Sequence, residues 1–354
     1  MLILNPLFCQ FCKTSIFTIN MNNTYNPALD LIRSVAILFV MSQHFMLNSH
    51  FWNASFDGLS MYLQGFFLII FQVAVPLFLF LTGYLNCNKS LDNKYFLGGK
   101  KVLYSILFFV ITWCFFRIFV LNEKFTFYNL VTSILTLKII RYSWYIDMWI
   151  GLFLITPFLN ILYDSLDIRQ KQMLISVVTL ITIIPGMINR NSFSCIPNYW
   201  TIAYPIVYYF TGAYVREYDL NIPKKISATI VLCIPTLCCV LNIFISEGGK
   251  FISFTGGNDS LLMFFTSLLL FLLLKDVKIR SIYLKSFLRV VSKRSLDMYL
   301  CCGIFDLLLY PNFLCHCYDN QNQFGLFYFV IIPMEFILTF LVATIKEHLL
   351  KRLH

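Results

Sequence analysis

The chain has 354 residues, of which 59% are hydrophobic and 18% aromatic, whereas only 12% are charged. A soluble globular protein carries about twice that charged fraction, so the composition excludes an ordinary soluble enzyme. The net charge of +10 does not indicate a nucleic-acid-binding protein, because Lys and Arg cluster in short segments between long apolar runs.

These apolar runs are continuous over about 20 residues each, which predicts an all-α, polytopic membrane protein and not a β-barrel. With both termini on the cytoplasmic side, 20 of the 27 Lys and Arg residues fall in cytoplasmic segments and five in outer segments, as the positive-inside rule requires. Ten membrane-spanning helices are predicted, at 28–48, 61–86, 102–121, 144–163, 171–188, 199–216, 226–246, 259–275, 295–314 and 324–346.

Residues 1–25 are predicted to be a cytoplasmic N-terminal segment, and residues 26–354 a single membrane-embedded domain. Because Met21 opens a short polar lead into the first helix, residues 1–20 are interpreted as a possible artefact of start-codon choice. They do not resemble a cleaved signal peptide, since Lys13 interrupts the apolar run.

No metal site is predicted from cysteine spacing. The chain has 12 cysteines, and the only close groupings are Cys9-x-x-Cys12 and Cys315-His316-Cys317. Each grouping lacks a second pair of ligands at a suitable spacing, so neither indicates a zinc site.

The first predicted helix carries three ionisable residues, Asp30, Arg33 and His44. The eleven-residue step from Arg33 to His44 returns to the same helix face within about 20°, with roughly 16 Å of axial separation. Ionisable groups within a membrane helix usually face a protein interior or a wet cavity, so this face is predicted to line a polar site. His44 can act as a general base, and Asp30 can pair with Arg33. The structural alternatives are a hydrogen-bonded histidine and a topogenic arginine.

Two further helices carry candidate binding residues. Thr82-Gly83-Tyr84 interrupts the second apolar run, either to permit close backbone approach or simply to end the helix. Trp144 and Tyr145 open the fourth helix at a position that suits a membrane interface.

Other features of the chain have simpler explanations. Segment 122–143 is too short and too polar to cross a membrane, which predicts an interfacial or re-entrant helix. Structural ion pairs would account for Arg117, Asp147, Asp306 and Glu335. The seven basic residues from 275 to 294 are typical of a topogenic cluster that contacts anionic lipid, although they could also bind the phosphates of a cytosolic donor.

Four stretches, taken in order, resemble acyltransferase family 3, the integral membrane O-acyltransferases. They are LDLIRSVAILFVMSQHF with its arginine and histidine, PLFLFLTGYL, SWYIDMWIGLFLITPFL and YPIVYYFTGAYV. Two departures are a Thr at position 82, where the family usually has Ser, and Cys302 in SKRSLDMYLCC, where His is common.

The resemblance implies transfer of an acyl group, usually acetyl from acetyl-CoA, to a hydroxyl of a cell-envelope or exported carbohydrate or glycolipid. Acyl-CoA is then a donor substrate, and no bound cofactor is expected. The implied location is the cytoplasmic membrane of a bacterium, as a multi-pass protein in contact with lipid. His44 and Arg33 are the predicted catalytic residues, and the predicted substrate-binding residues are Asp30, Thr82, Gly83, Tyr84, Trp144 and Tyr145.

A transporter or flippase for a polar envelope precursor is the competing hypothesis, because intramembrane charges also mark substrate pathways. Such proteins often contain inverted repeats with paired broken helices, and no such repeat is evident in the sequence. A purely structural or sensory protein would leave the aligned Arg33 and His44 without a purpose.

Overall fold

The computed structural model describes residues 25–189, 196–316 and 320–352, where the protein is built of helices. Residues 1–24 and Cys317 lie outside these ranges. They include most of the predicted N-terminal segment, with Cys9 and Cys12, and one member of the Cys315-His316-Cys317 grouping. The α-helices are α1 (Pro27–Asn48), α2 (Leu59–Phe71), α3 (Ala74–Asn86), α4 (Asn93–Gly98), α5 (Lys100–Phe115), α6 (Phe127–Leu135), α7 (Trp144–Asp164), α8 (Ile168–Thr182), α9 (Ile184–Ile188), α10 (Tyr204–Glu217), α11 (Lys224–Ser246), α12 (Leu261–Lys275), α13 (Ile282–His316), α14 (Gln321–Phe324) and α15 (Tyr328–Arg352).

The predicted fold class is confirmed: the protein is an all-α, multi-pass membrane protein. Eight helices, counting continuous pairs as one, are long and apolar enough to cross a membrane within the described ranges. They coincide with eight of the ten predicted spans. The sixth and eighth predicted spans correspond to the shorter helices α10 and α12, of 14 and 15 residues. These are about 21 and 23 Å long, shorter than the hydrocarbon core of roughly 30 Å.

Helix α1 lies at the centre of the bundle. It begins at Pro27 and is capped by Asn26, whose side chain accepts a hydrogen bond from the backbone N–H of Ala28. It packs against α2, α3, α12, α13 and α15. Ile37 and Phe45 belong to one buried apolar cluster and Ile32 and Ala36 to another, so α1 joins the two halves of the core.

The second span is interrupted at Gln72 and Val73, between α2 and α3. Pro76 explains the interruption, because it lacks an N–H and its ring would clash with the carbonyl of Gln72, four residues earlier. The span therefore contains two helical segments, where the sequence predicted one helix over 61–86.

A second proline is accommodated without a break. Pro157 lies inside α7 and leaves the carbonyl of Phe153 without its helical donor. The hydroxyl of Tyr95 donates to that carbonyl at 2.8 Å, and the Tyr95 and Phe153 rings stack with centroids 4.7 Å apart. The tyrosine thus satisfies the buried acceptor and fastens α4 to α7.

Helix α13 is longer than predicted. It begins at Ile282, whereas the sequence predicted a span from 295 preceded by a basic connection. Lys285, Arg289, Lys293 and Arg294 therefore lie on the first turns of this helix. Its 35 residues extend over about 52 Å, so one end projects beyond the hydrocarbon core.

The connection between the third and fourth spans contains the helix α6 of nine residues, about 14 Å long. It is too short to cross a membrane, in agreement with the predicted interfacial or re-entrant segment. Its continuation returns to the bundle, where Ile139 and Ile140 are buried. Arg117 pairs with Glu123 in this connection, with Nη2 and Oε2 2.6 Å apart.

Helices α3 and α10 approach each other closely through two glycines. A Cβ atom on Gly83 would overlap the carbonyl oxygen of Tyr209, and one on Gly212 would overlap that of Phe80. Both obstacles are backbone atoms, which cannot move aside as the end of a flexible side chain can. Gly83 therefore permits the helix contact, one of the two roles predicted for it.

Replacing Gly83 by Ala is expected to force α3 and α10 apart and to destabilise the protein by about 1–3 kcal/mol, the usual cost of overpacking. Thermal unfolding in detergent, followed by size-exclusion chromatography, measures this as a lowered Tm. Gly151→Ala is the matched control, because nothing lies within 4 Å of a Cβ at that helical position. An unchanged Tm in Gly83→Ala would contradict the packing assignment.

Candidate active site

A cavity of about 350 Å³ opens beside the N-terminal half of α1, between α3, α7 and α13. It is hereafter called the Arg33 cavity. Both polar and apolar side chains line it, as expected of a site for a substrate with charged and apolar parts. Its polar lining includes Arg33, Thr82, Tyr145, Ser292, Lys293 and Tyr299.

Arg33 is held at the wall of this cavity by α13. Its Nη1 donates a hydrogen bond of 2.8 Å to the hydroxyl of Ser292. No ion pair within 4 Å joins Arg33 to Asp30 in the part of the chain that the structure describes. Asp30 instead accepts a 2.7 Å hydrogen bond from the hydroxyl of Tyr25. Burial and the Asp30 carboxylate raise the pKa of Tyr25 to about 12, which keeps this hydroxyl protonated as a donor at neutral pH.

His44 lies deeper in the bundle and is only 6% exposed. Its Nδ1 is 3.3 Å from Oδ2 of Asp306 and 3.5 Å from Sγ of Cys302, both on α13. The contact with Asp306 has ion-pair distance without the alignment of a hydrogen bond, since neither Asp306 oxygen has a hydrogen-bond partner. A carboxylate at Nδ1 favours the tautomer with its proton on that nitrogen. The other ring nitrogen, Nε2, is then free to accept a proton.

Tyr142 covers one side of the His44 ring. The ring centroids are 4.0 Å apart, and the planes are tilted by 32°. Asn48, one turn after His44, donates to the Tyr142 hydroxyl at 3.0 Å and accepts from Arg141 at 2.8 Å. Burial raises the pKa of Tyr142, so its hydroxyl stays protonated. The connection between the third and fourth spans thereby holds the imidazole in place.

Tyr299 connects the Arg33 cavity with the surroundings of His44. It lines the cavity, and its ring centroid is 5.5 Å from that of Tyr145. Its hydroxyl donates to the carbonyl of Tyr142, and its own carbonyl accepts from Cys302 at 3.0 Å. The predicted common face of Arg33 and His44 is confirmed, because both side chains contact α13.

The other predicted site residues are not all brought together. Thr82 and Tyr145 line the Arg33 cavity. Tyr84 points away and packs under Arg216, whose guanidinium lies 5.2 Å from the Tyr84 ring centroid. Trp144 is half exposed and lines a separate cavity beside α10. Successive helical residues point about 100° apart, so Thr82, Gly83 and Tyr84 cannot share one surface. Substrate binding by these residues stays a prediction.

Several residues of the site were not assigned to it from the sequence. The sequence identifies Asp306 as an intramembrane carboxylate but does not by itself predict its contact with His44. Cys302 and Asp306 are four residues apart and so lie on one face of α13, a signal that was available. The sequence gives no comparable signal for Ser292 and Tyr142. Ser292 contacts Arg33, 259 residues away in the chain, and Tyr142 contacts the ring of His44 from a different segment.

The comparison with known families gives one match. The family model of the acyltransferase domain of acyltransferase family 3 matches residues 26–345, most of the chain. The chain therefore belongs to acyltransferase family 3 and is a multi-pass membrane acyltransferase. No curated protein and no solved structure matches the chain.

Proposed function

We propose that the protein transfers an acyl group, most simply acetyl, from acyl-CoA to a hydroxyl group of a cell-envelope or exported carbohydrate. The observation that carries this proposal is that Tyr299 lies between the Arg33 cavity and the surroundings of His44. Tyr299 lines a cavity with cationic and hydroxyl groups at its wall, and its carbonyl accepts from Cys302, which lies 3.5 Å from a buried histidine that contacts a carboxylate.

The Arg33 cavity suits the donor. Arg33 and Lys293 are cations on its wall, where they can bind phosphate groups of CoA. Thr82 and Ser292 add hydroxyl groups, and the apolar wall from α3 suits an extended chain that carries the thioester. With the N-terminus of α1 on the cytoplasmic side, this cavity faces the compartment that contains acyl-CoA.

His44 is the general base in this proposal. Its Nε2 removes the proton of the acceptor hydroxyl while the oxygen attacks the thioester carbonyl carbon. Collapse of the tetrahedral intermediate breaks the C–S bond, and the imidazolium returns the proton to the departing thiolate of CoA. Asp306 stabilises the imidazolium through Nδ1, 3.3 Å away. Arg33 serves either to bind the donor or to stabilise the oxyanion.

The acceptor and the location follow from the family. Acceptors of acyltransferase family 3 are carbohydrates and other envelope molecules, which supports a glycan or glycolipid in a bacterial cytoplasmic membrane. A transporter or flippase remains the alternative to test, since the same buried ionisable groups could mark a substrate path. Flux of an envelope precursor into liposomes without CoA release would favour it.

Replacing His44 by Ala is expected to lower kcat by about 10²–10⁴-fold, the usual contribution of a general base. The assay is acceptor-dependent release of CoA from acetyl-CoA by detergent-purified protein with an envelope glycan extract. Arg33→Ala is assayed in parallel. His50→Ala is the matched control, because His50 is exposed beyond the end of α1. Unchanged CoA release in a correctly folded His44→Ala variant would show that His44 is not the general base.

Asp306 acts on the reaction through His44, so Asp306→Asn is expected to lower kcat by at least about tenfold with little change in KM for either substrate. The amide retains the shape but cannot stabilise the imidazolium. Steady-state kinetics separate the two parameters, and Asp306→Glu is expected to restore part of kcat. A purely structural role would lower kcat and the amount of folded protein together, with no rescue by Glu.

Ser292→Ala removes the hydroxyl that fixes Arg33 and is expected to raise KM for acyl-CoA about threefold to tenfold, or roughly 0.6–1.4 kcal/mol. The value of kcat should change little, because Arg33 itself remains. Ser292→Thr retains the acceptor, and Ser286→Ala on an exposed side of the same helix is the control. An effect on kcat alone would instead place Arg33 at the oxyanion.

A further inference from the structure

Three helices bring metal-ligating side chains together at His44. A ring nitrogen of His44, Sγ of Cys302 and a carboxylate oxygen of Glu335 all lie within 4.8 Å of one another. The residues come from α1, α13 and α15 and are 6%, 0% and 0% exposed. Asp306 adds a second carboxylate at 3.3 Å from Nδ1 of His44.

The carboxyl groups of Asp306 and Glu335 have no Lys or Arg partner in the described ranges. No donor group of the described ranges hydrogen-bonds to an oxygen of Asp306 or Glu335, and the two buried carboxyl groups lie within hydrogen-bonding reach of each other. No Lys or Arg of the described chain lies within ion-pair distance of either, and the two groups are close enough to repel each other. Burying an unpaired carboxylate costs several kcal/mol, so a proton or a cation must lie between them.

The spacing of the donor atoms fits a cation. Zinc binds a thiolate at about 2.3 Å and an imidazole nitrogen at about 2.0 Å, and a tetrahedral angle then separates sulfur and nitrogen by about 3.5 Å. The Sγ of Cys302 and Nδ1 of His44 are 3.5 Å apart. The Glu335 oxygen lies within 4.8 Å of the sulfur and of a ring nitrogen of His44, and it would move closer to join the coordination sphere.

We propose that His44, Cys302 and Glu335 form a binding site for one Zn²⁺ ion or a similar borderline-soft divalent cation, with Asp306 as a neighbouring or fourth ligand. Thiolate and imidazole favour Zn²⁺ over the hard cations Mg²⁺ and Ca²⁺, which prefer oxygen ligands. Binding deprotonates the Cys302 thiol, and the proton leaves to solvent. Cysteine spacing could not predict this site, since its ligands lie on three distant segments.

Occupation of the site has a consequence that rests on the proposed function of His44. A zinc ion uses the lone pair of Nδ1, so the ring proton is placed on Nε2. That nitrogen then has no lone pair with which to accept the proton of a hydroxyl. The zinc-bound protein is therefore inactive, and zinc acts as a reversible inhibitor at the catalytic histidine.

The first test measures binding without activity. The full chain, purified with a tag free of histidine and stripped with a chelator, is equilibrated with Zn²⁺, and bound metal is counted by elemental analysis. We expect one zinc per chain, with at least tenfold weaker binding in Cys302→Ser and in Glu335→Gln. Cys301→Ser is the matched control, because Cys301 is equally buried but its sulfur faces Thr339. Co²⁺ should give a thiolate charge-transfer band that Cys302→Ser loses.

Two results would overturn the site: no stoichiometric zinc in the wild type, or zinc binding that Cys302→Ser leaves unchanged. The first would mean that a proton is shared between Asp306 and Glu335. CoA release is then measured with and without Zn²⁺, and inhibition should be weaker in any Cys302→Ser protein that retains activity. Zinc bound through Cys302 in a protein that never releases CoA would refute the proposed function while leaving the metal site intact.

Discussion

The burial of ionisable groups inside an apolar bundle is the constraint on which this structure depends. A charge removed from water must find a partner, and α13 supplies several of the partners. Ser292 bonds Arg33 of α1, and Asp297 pairs with Lys346 of α15 at 2.7 Å. Further along, Asp306 contacts His44. The packing of α13 against α1 and α15 is therefore specified by polar contacts as well as by apolar area.

Proline and glycine residues decide how the other helices pack around α1 and α13. Pro76 interrupts the second span between α2 and α3, and Thr82 of α3 lines the Arg33 cavity. Gly83 and Gly212 allow α3 and α10 to approach within backbone contact. Pro157 would leave an unsatisfied carbonyl in α7, but Tyr95 donates to it. These helix interruptions and close contacts thus shape the wall of the cavity.

The arrangement separates two kinds of chemistry along one helix. Arg33 and the cavity lie toward the N-terminal end of α1, and His44 lies about three turns further on. Tyr299 stands between them and contacts both regions. In the proposed function this separation places donor binding at Arg33 and proton transfer at His44. In the two proposals Nε2 of His44 is the general base and Nδ1 is a metal ligand, and the ring cannot serve both at once because metal binding at Nδ1 leaves the proton on Nε2.

The sequence by itself determined the class of the protein, most of its spans and the common face of Arg33 and His44, because hydropathy and helical periodicity are local properties. The shortness and polarity of segment 122–143 also indicated that it does not cross the membrane, in agreement with the short helix α6. The sequence could not extend α13 to Ile282, since a charged helix beyond the membrane resembles a loop in composition. Only the tertiary structure decided that Ser292, and not Asp30, holds Arg33, and that Asp306, Cys302 and Glu335 meet at His44. Those contacts join residues hundreds of positions apart, and their energies depend on burial that exists only after the helices have packed.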